Sequence, residues 1–114
     1  MKTPRIRLLI GNAIALGPGK IALLEAIKDA GSISGAGRAM GMSYRRAWIL
    51  VNRMNSDFTA PLVEKATGGR GGGGAYLTEL GCDVLARYHS IELKAAESVR
   101  DDMQAFAPLL RDPD

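Results

Sequence analysis

The sequence is poor in the residues that build disulfides, metal sites and catalytic relays. Its 114 residues contain one cysteine, Cys82, and one histidine, His89. A single cysteine cannot form an internal disulfide, and two potential ligands are too few for a structural zinc site. A Ser-His-Asp relay is possible from the composition, but no motif supports it. We therefore predict no enzyme, no metal site and no cofactor, with Cys82 in the core and His89 on a helix surface.

Long apolar runs are also missing. No segment approaches the roughly 18 apolar residues of a membrane span, and the first residues lack the apolar core of a signal peptide. Hydrophobic residues nevertheless make up 46% of the chain and charged residues 24%, which is typical of a globular domain that buries its own core. Together with the lone cysteine, this composition favours a cytoplasmic protein.

Acidic residues are scarce in the first two thirds of the chain. Residues 1–78 contain 11 lysines and arginines against 4 acidic residues, whereas residues 79–114 contain 4 against 8. A basic first part favours a polyanionic partner, and the acidic remainder favours a separate role. Uneven surface charge without a polyanion is the alternative, and the charges alone do not decide between the two.

Hydrophobic periodicity and turn residues organise the first third of the chain. Residues 5–10 alternate and then become apolar, which predicts a strand that supports the sheet, and residues 13–16 are able to pair with it. A helix follows, with Pro18 near its start and Gly31 at its C-terminal end. The apolar positions on one face of this helix are Ile21, Leu24 and Ile27.

Residues 33–54 show the pattern of a helix-turn-helix. A short helix from Ser34 stops at Gly41, and Ser43 then caps a longer helix that ends near Asn55. Helical spacing predicts that the longer helix buries Ala47, Leu50, Val51 and Met54. A plain amphipathic helix pair with a solvated polar face is the alternative.

The opposite face of the longer helix collects side chains that are typical of a DNA-reading surface. Ser43 and Tyr44, at its N-terminal end, are placed to reach base edges or phosphates, and Arg45 is suited to guanine or a phosphate. Asn52 suits a phosphate or adenine, and an exposed Trp48 requires a covering partner. The candidate DNA-binding residues of this helix are Ser43, Tyr44, Arg45, Arg46, Trp48 and Asn52.

Six glycines surround Arg70 in a stretch of seven residues. The flanks of this run, residues 62–65 and 75–78, are short and rich in strand-forming residues, which predicts a hairpin. A nucleotide-binding fingerprint needs a helix to begin at the glycines, and here an extended segment follows instead. Because a hairpin after a helix-turn-helix is a wing, Arg70, Gly71 and Gly72 are candidate contacts to DNA phosphates or the minor groove. A disordered loop without function is the alternative.

A final helix opens at Thr78-Glu79 and is predicted to continue to about Phe106. It would measure about 42 Å, longer than a small domain is wide, so its end needs a partner, most simply a second copy. The residues predicted to face that partner are Leu80, Val84, Tyr88, Ile91, Ala95 and Val99. We assign residues 1–78 to a winged helix-turn-helix domain and residues 79–110 to a dimerisation helix, in a mainly α fold with a small β wing.

Several short segments form a combination that is specific to one group of regulators. They are the wing string from Val63 to Ala75 and, before it, Gly31-Ser32-Ile33-Ser34, Ser43-Tyr44, Ala47-Trp48, Asn52 and Met54-Asn55. Together they closely resemble the DNA-binding domain of the molybdate-dependent regulator (ModE) family. After the wing, Leu77-Thr78-Glu79-Leu80-Gly81 is similar to the broader LysR-type winged helix. The resemblance covers about residues 18–90.

The resemblance implies a homodimeric transcription regulator that binds a palindromic operator in double-stranded DNA. The long C-terminal helix would set the half-site spacing near ~34 Å or a multiple of it. Full-length members of the family carry C-terminal domains that sense molybdate or tungstate. The sequence ends at Asp114, so we expect the molybdate-binding domains and any small-molecule site to be absent, in either a one-domain relative or a fragment. The alternative functions are a protein-interaction module that uses the long helix and Trp48, and a phosphate-ligand binder or enzyme that uses the glycine loop.

Overall fold

The computed structural model describes residues 5–11, 14–66 and 74–112. Two strands, β1 (Leu8–Ile10) and β2 (Ile14–Leu16), are followed by three helices, α1 (Pro18–Ala30), α2 (Ile33–Ala39) and α3 (Tyr44–Asp57). The strands β3 (Val63–Lys65) and β4 (Ala75–Leu77) then precede α4 (Glu79–Ser98), α5 (Arg100–Gln104) and a 3₁₀ turn (Ala107–Leu109). This is the winged helix-turn-helix that the sequence predicts, mainly helical with a small β wing.

Helix α1 is the central element of the core. Pro18 occupies its first turn, and Gly31, at φ 72°, ends it by donating its N–H to the carbonyl oxygen of Ile27 at 2.8 Å, as the sequence predicts. Leu23 is also fully buried, although it lies outside the predicted stripe. The reason is that α1 packs against α2, α4 and β4, so more than one of its faces is covered.

The core is apolar and extends through all four main helices and the wing. Its buried side chains are Leu16, Ile21, Leu23, Leu24, Ile27, Ile33, Ala36, Ala47, Val51, Met54, Leu62, Val63, Ala75, Val84, Leu85 and Tyr88. None of the described helices combines the length and the apolar character of a membrane crossing.

Helices α2 and α3 meet across a glycine-containing turn. Ser32 caps α2 by accepting the N–H of Gly35 on its Oγ at 2.9 Å, so the helix begins one residue before the predicted Ser34. Gly37 lies where the two helices approach, because a Cβ there would come within 3.2 Å of the carbonyl oxygen of Met42. A larger residue at position 37 would push the second helix of the motif away from the first.

The two strand pairs form separate antiparallel sheets in the described part of the chain. Leu8 lies opposite Leu16 in the first pair, and Val63 lies opposite Leu77 in the second. The first strand is shorter than the predicted 5–10, and it pairs with β2, as the sequence predicts.

Helix α4 connects the N-terminal segment to α1. The hydroxyl of Tyr88 donates a hydrogen bond to the carbonyl oxygen of Ile6, and burial raises the pKa of this hydroxyl. The half-buried His89 lies between two carboxylates, with Nδ1 2.9 Å from Oε1 of Glu92 and Nε2 3.4 Å from Oε2 of Glu25 in α1. The contacts of Tyr88 with Ile6 and of His89 with Glu25 hold the middle of α4 against the rest of the domain.

The predicted single C-terminal helix is interrupted. Thr78 caps α4 by accepting the N–H of Gly81 at 3.0 Å, as the predicted start requires, but α4 ends at Ser98. Val99 leaves helical geometry with φ −112° and ψ 11° before α5 begins. The regular helix is therefore 20 residues long, or about 30 Å rather than about 42 Å.

Candidate nucleic-acid interface

The orientation of α3 is determined by its serine cap and its buried stripe. Oγ of Ser43 accepts the N–H of Arg46 at 3.1 Å, as predicted, and so satisfies one of the first backbone donors of the helix. Leu50 is half-buried, and the other predicted core residues are buried, namely Ala47, Val51 and Met54. The opposite face of α3 is therefore exposed to solvent.

The predicted contact residues of α3 lie on this exposed face, with one exception. Those that are exposed are Ser43, Tyr44, Arg45, Arg46 and Asn52. Trp48 is half-buried rather than exposed, and Nζ of Lys65 lies 4.6 Å from the centroid of its ring. Since Lys65 belongs to β3, this cation-π contact joins the helix to the wing and supplies part of the cover that Trp48 needs.

Three arginines and an isoleucine line a groove along α3. The groove measures about 310 Å³, and its lining residues are Ser43, Arg45, Arg46, Ile49, Leu50 and Arg53. A spacing of four places Arg45, Ile49 and Arg53 in one row along the helix. Over the described residues, none of the three arginines is paired with a carboxylate. Their charge is therefore available to an anionic ligand.

Two groove residues, Ile49 and Arg53, are absent from the sequence-based prediction. Arg53 follows Arg45 by eight residues, so helical spacing alone is sufficient to place it on the same face. Ile49 gives no comparable signal, since a single apolar residue outside a buried stripe is ordinary. Its 43% exposure within a row of arginines emerges only from the structure.

The wing extends the surface that α3 presents. Ala66 donates its N–H to the carbonyl oxygen of Gly74 at 2.9 Å, beyond the last paired residues of the two strands. Across the strands, the hydroxyl of Tyr76 donates to Oε2 of Glu64 at 2.9 Å, and this hydrogen bond raises the pKa of Tyr76. The predicted wing contacts Arg70, Gly71 and Gly72 lie outside the described residues.

The root of the wing is attached to two helices. Asn55, near the end of α3, accepts the N–H groups of Leu62 and Val63 on Oδ1, at 2.8 and 3.1 Å. Its Nδ2 donates to the carbonyl oxygen of Val63 at 3.0 Å. On the other strand, Ala75 donates its N–H to the carbonyl oxygen of Gly31 at 2.9 Å. The direction of the wing relative to α3 is therefore set by α1 and α3 together.

The lone cysteine is exposed, so the prediction that it lies in the core is wrong. The buried positions of α4 follow the spacing 81, 84, 85 and 88, and Cys82 lies outside that stripe. It shares a cleft of about 300 Å³ between α1 and α4 with Glu25 and His89. Across residues 5–11, 14–66 and 74–112, no group of three or more His, Cys, Asp or Glu side chains is placed to hold a metal ion.

Two residues that were predicted to face a partner belong to the chain's own core. Val84 and Tyr88 are buried, while Leu80, Ala95 and Val99 are half-buried. The large apolar side chains that α4 and the following residues do expose are Ile91, Leu93, Met103, Phe106, Leu109 and Leu110. We call this set the apolar tail; it includes Leu93 at 71% exposure and Phe106 at 58%.

The fold and the basic face of α3 define a winged helix-turn-helix protein, and comparison with known proteins agrees. The model of the bacterial regulatory helix-turn-helix protein family of the lysR type matches residues 19–82. A solved structure described as a CbnR_DBD-DNA complex has the same fold, with a TM-score of 0.57 and 22% identity over 78% of this chain and 95% of that chain. The chain belongs to the LysR-type family of bacterial regulatory helix-turn-helix proteins.

Individual relatives carry the more specific resemblance. The transcriptional regulator ModE of Yersinia pestis is 43% identical over 96 residues, which are 82% of this chain and 36% of the relative. The molybdenum-pterin-binding protein MopB of Rhodobacter capsulatus is 46% identical over 82 residues, which are 72% of this chain and 30% of the relative. The resemblance to the ModE family is thereby confirmed. The chain spans about a third of the length of these curated relatives.

Proposed function

We propose that the chain is the DNA-binding part of a sequence-specific transcription regulator, with α3 in the major groove. The observation that carries this proposal is the row of arginines on the exposed face of α3, which has no carboxylate partner among the described residues. The major groove, about 12 Å wide, admits an α-helix, and arginine binds both guanine edges and phosphates. Membership of a regulatory helix-turn-helix family supports the same conclusion.

The exposed residues that the sequence predicts as contacts then have defined tasks. Arg45 reads a base edge, whereas Ser43 and Arg46, at the N-terminal end, bind phosphates. Tyr44 and Asn52 contact bases or backbone along the same face. The remaining proposed contacts are those of the wing, where Arg70, Gly71 and Gly72 lie along the DNA backbone. Trp48 and Lys65 keep the wing in register with the helix.

Mobility-shift titrations of random and palindromic duplexes at two salt concentrations test this proposal. We expect binding of every duplex to weaken as salt rises, because lysines and arginines release counterions from the phosphates. One palindrome, selected from a random pool, should bind more tightly than the rest. If no duplex binds in a salt-dependent way, the proposal fails, and a protein-interaction module without DNA specificity is favoured.

The Arg45→Ala variant should lose about 1–3 kcal/mol of specific binding, because one side chain no longer reads a base edge. The quantity to measure is the ratio of the dissociation constants for the operator and a scrambled duplex. Arg87→Ala is the matched control, since it removes the same charge from the exposed surface of α4, where Arg87 pairs with Asp83. Equal losses in the two variants would mean that the orientation assigned to α3 is wrong.

We further propose that the regulator binds a palindromic operator as a homodimer, with the apolar tail as the dimer surface. Six large apolar side chains are exposed between residues 91 and 110, and a second copy of the chain is the simplest cover for them. Isologous pairing of two tails would place two α3 helices on half-sites about 34 Å or a multiple apart. The break at Val99 leaves α5 as a separate short segment that can pack across a second copy.

Phe106→Asp is expected to convert the dimer to a monomer, because the substitution places a charge in the apolar interface. Sedimentation velocity at micromolar protein concentration measures the change. Thr59→Asp adds the same charge at an exposed loop position and should remain dimeric. A dimeric Phe106→Asp variant would show that the interface lies elsewhere on the chain.

We also propose that the regulated genes serve molybdenum metabolism and that the chain acts in the cytoplasm. The support comes from relatives named as a molybdenum transport protein, ModE, of Azotobacter vinelandii and as the molybdenum-pterin-binding protein MopB. Genomic fragments retained by the chain, with and without molybdate, should lie beside genes for molybdenum transport or storage. Fragments without such neighbours would remove this link and leave DNA binding intact.

A further inference from the structure

We propose that Ile49 recognises the methyl group of a thymine in the major groove and so selects thymine at one position of each half-site. This inference rests on the proposed function, and it names the chemical group that one side chain of the interface selects.

The surroundings of Ile49 make it a contact residue rather than a core residue. It lies outside the buried stripe of α3, is 43% exposed and lines the groove that also contains Arg45 and Arg53. Each of these arginines is one helical turn away from it along the same row. A ligand that neutralises both arginines must therefore cover Ile49 as well.

The ligand that covers Ile49 has to offer an apolar group to Ile49 and anionic or hydrogen-bond-accepting groups to Arg45 and Arg53. Among the base edges of the major groove, guanine, adenine and cytosine offer polar groups, whereas thymine adds a C5-methyl group. Contact between that methyl group and a β-branched side chain buries apolar surface and costs little rotamer entropy. Thymine is therefore the base that Ile49 favours.

The spacing of the row also predicts where this thymine lies. Four residues of α-helix span about 6 Å, and successive base pairs are about 3.4 Å apart. The thymine should therefore lie about two base pairs from the base that Arg45 contacts.

Replacing single thymines by deoxyuridine tests the inference, because this change removes the methyl group and keeps every hydrogen-bonding group. The operator selected with the wild-type chain is titrated with each thymine replaced in turn. We expect one thymine per half-site at which the replacement weakens wild-type binding about fourfold, as expected for one methyl-sized contact. Ile49→Ala should bind the thymine and deoxyuridine operators equally well.

Leu9→Ala is the matched control, since Leu9 is an exposed apolar residue of β1 that lies outside the groove. It should retain the fourfold effect at that thymine, and thermal unfolding verifies that both variants are folded. The inference is overturned if Ile49→Ala keeps the methyl effect, or if no methyl group matters while the wild type still binds its operator. Failure of the wild type to bind any duplex would overturn the proposed function itself.

Discussion

Gly81→Ala is expected to lower the free energy of unfolding by about 2–3 kcal/mol, although alanine is the better helix former. A Cβ at position 81 would lie 2.2 Å from the carbonyl oxygen of Leu62 and 3.1 Å from its carbonyl carbon. That oxygen also accepts the N–H of Thr78 at 2.9 Å. The backbone of the wing root therefore cannot move away without losing this hydrogen bond.

Gly19→Ala is the matched control for this prediction. Gly19 lies in the first turn of α1, is exposed, and a Cβ there would meet nothing within 4 Å. The same substitution should be neutral there or stabilise the chain by up to about 1 kcal/mol. Denaturant unfolding measures both values. Equal effects at the two positions would contradict the close approach of α4 to Leu62.

The close approach at Gly81 explains the structural role of residues 77–81, the segment that resembles the LysR-type winged helix. Thr78 caps α4 through its hydroxyl oxygen, and that hydroxyl donates to the carbonyl oxygen of Pro61 at 2.7 Å. Gly81 then allows the first turn of α4 to lie directly against Leu62. The segment therefore encodes a junction between the wing and α4 rather than a contact with a ligand.

Features that depend on a few consecutive residues were predictable from the sequence. The helix starts at Pro18, Ser43 and Thr78 and the stop at Gly31 follow from the backbone groups that a cap or a left-handed glycine satisfies. The two hairpins follow in the same way from short strand-forming runs beside turn residues. The helix-turn-helix and wing were therefore predictable without knowledge of any tertiary contact.

Features that depend on a distant partner were not predictable. An apolar stripe shows that one face of α4 is buried, but not that Val84 and Tyr88 pack on their own domain rather than on a second copy. Part of the cover of Trp48 comes from Lys65, which is 17 positions further along the chain. For the same reason, the sequence predicts which face of α3 carries the candidate site. The role of Ile49 became visible only when the structure placed it between Arg45 and Arg53.

Asn55→Ala should also be strongly destabilising, because one amide serves three backbone groups at the root of the wing. Its side chain accepts the N–H groups of Leu62 and Val63 and donates to the carbonyl oxygen of Val63. The substitution by alanine leaves these three backbone groups without their hydrogen-bond partner. Because the position is half-buried, water can replace only some of the lost hydrogen bonds. We expect the free energy of unfolding to fall by about 2–3 kcal/mol.

Asn52→Ala separates this structural role from a role in binding. Asn52 is exposed on the same helix, so its loss should change the unfolding free energy by less than about 0.5 kcal/mol. Under the proposed function, it should instead weaken operator binding. Denaturant unfolding should therefore show the larger loss of stability for Asn55→Ala. Operator titration should show that Asn52→Ala weakens binding although its stability is nearly unchanged. A stable Asn55→Ala variant would mean that the wing is held mainly by Gly31 and Gly81 rather than by α3.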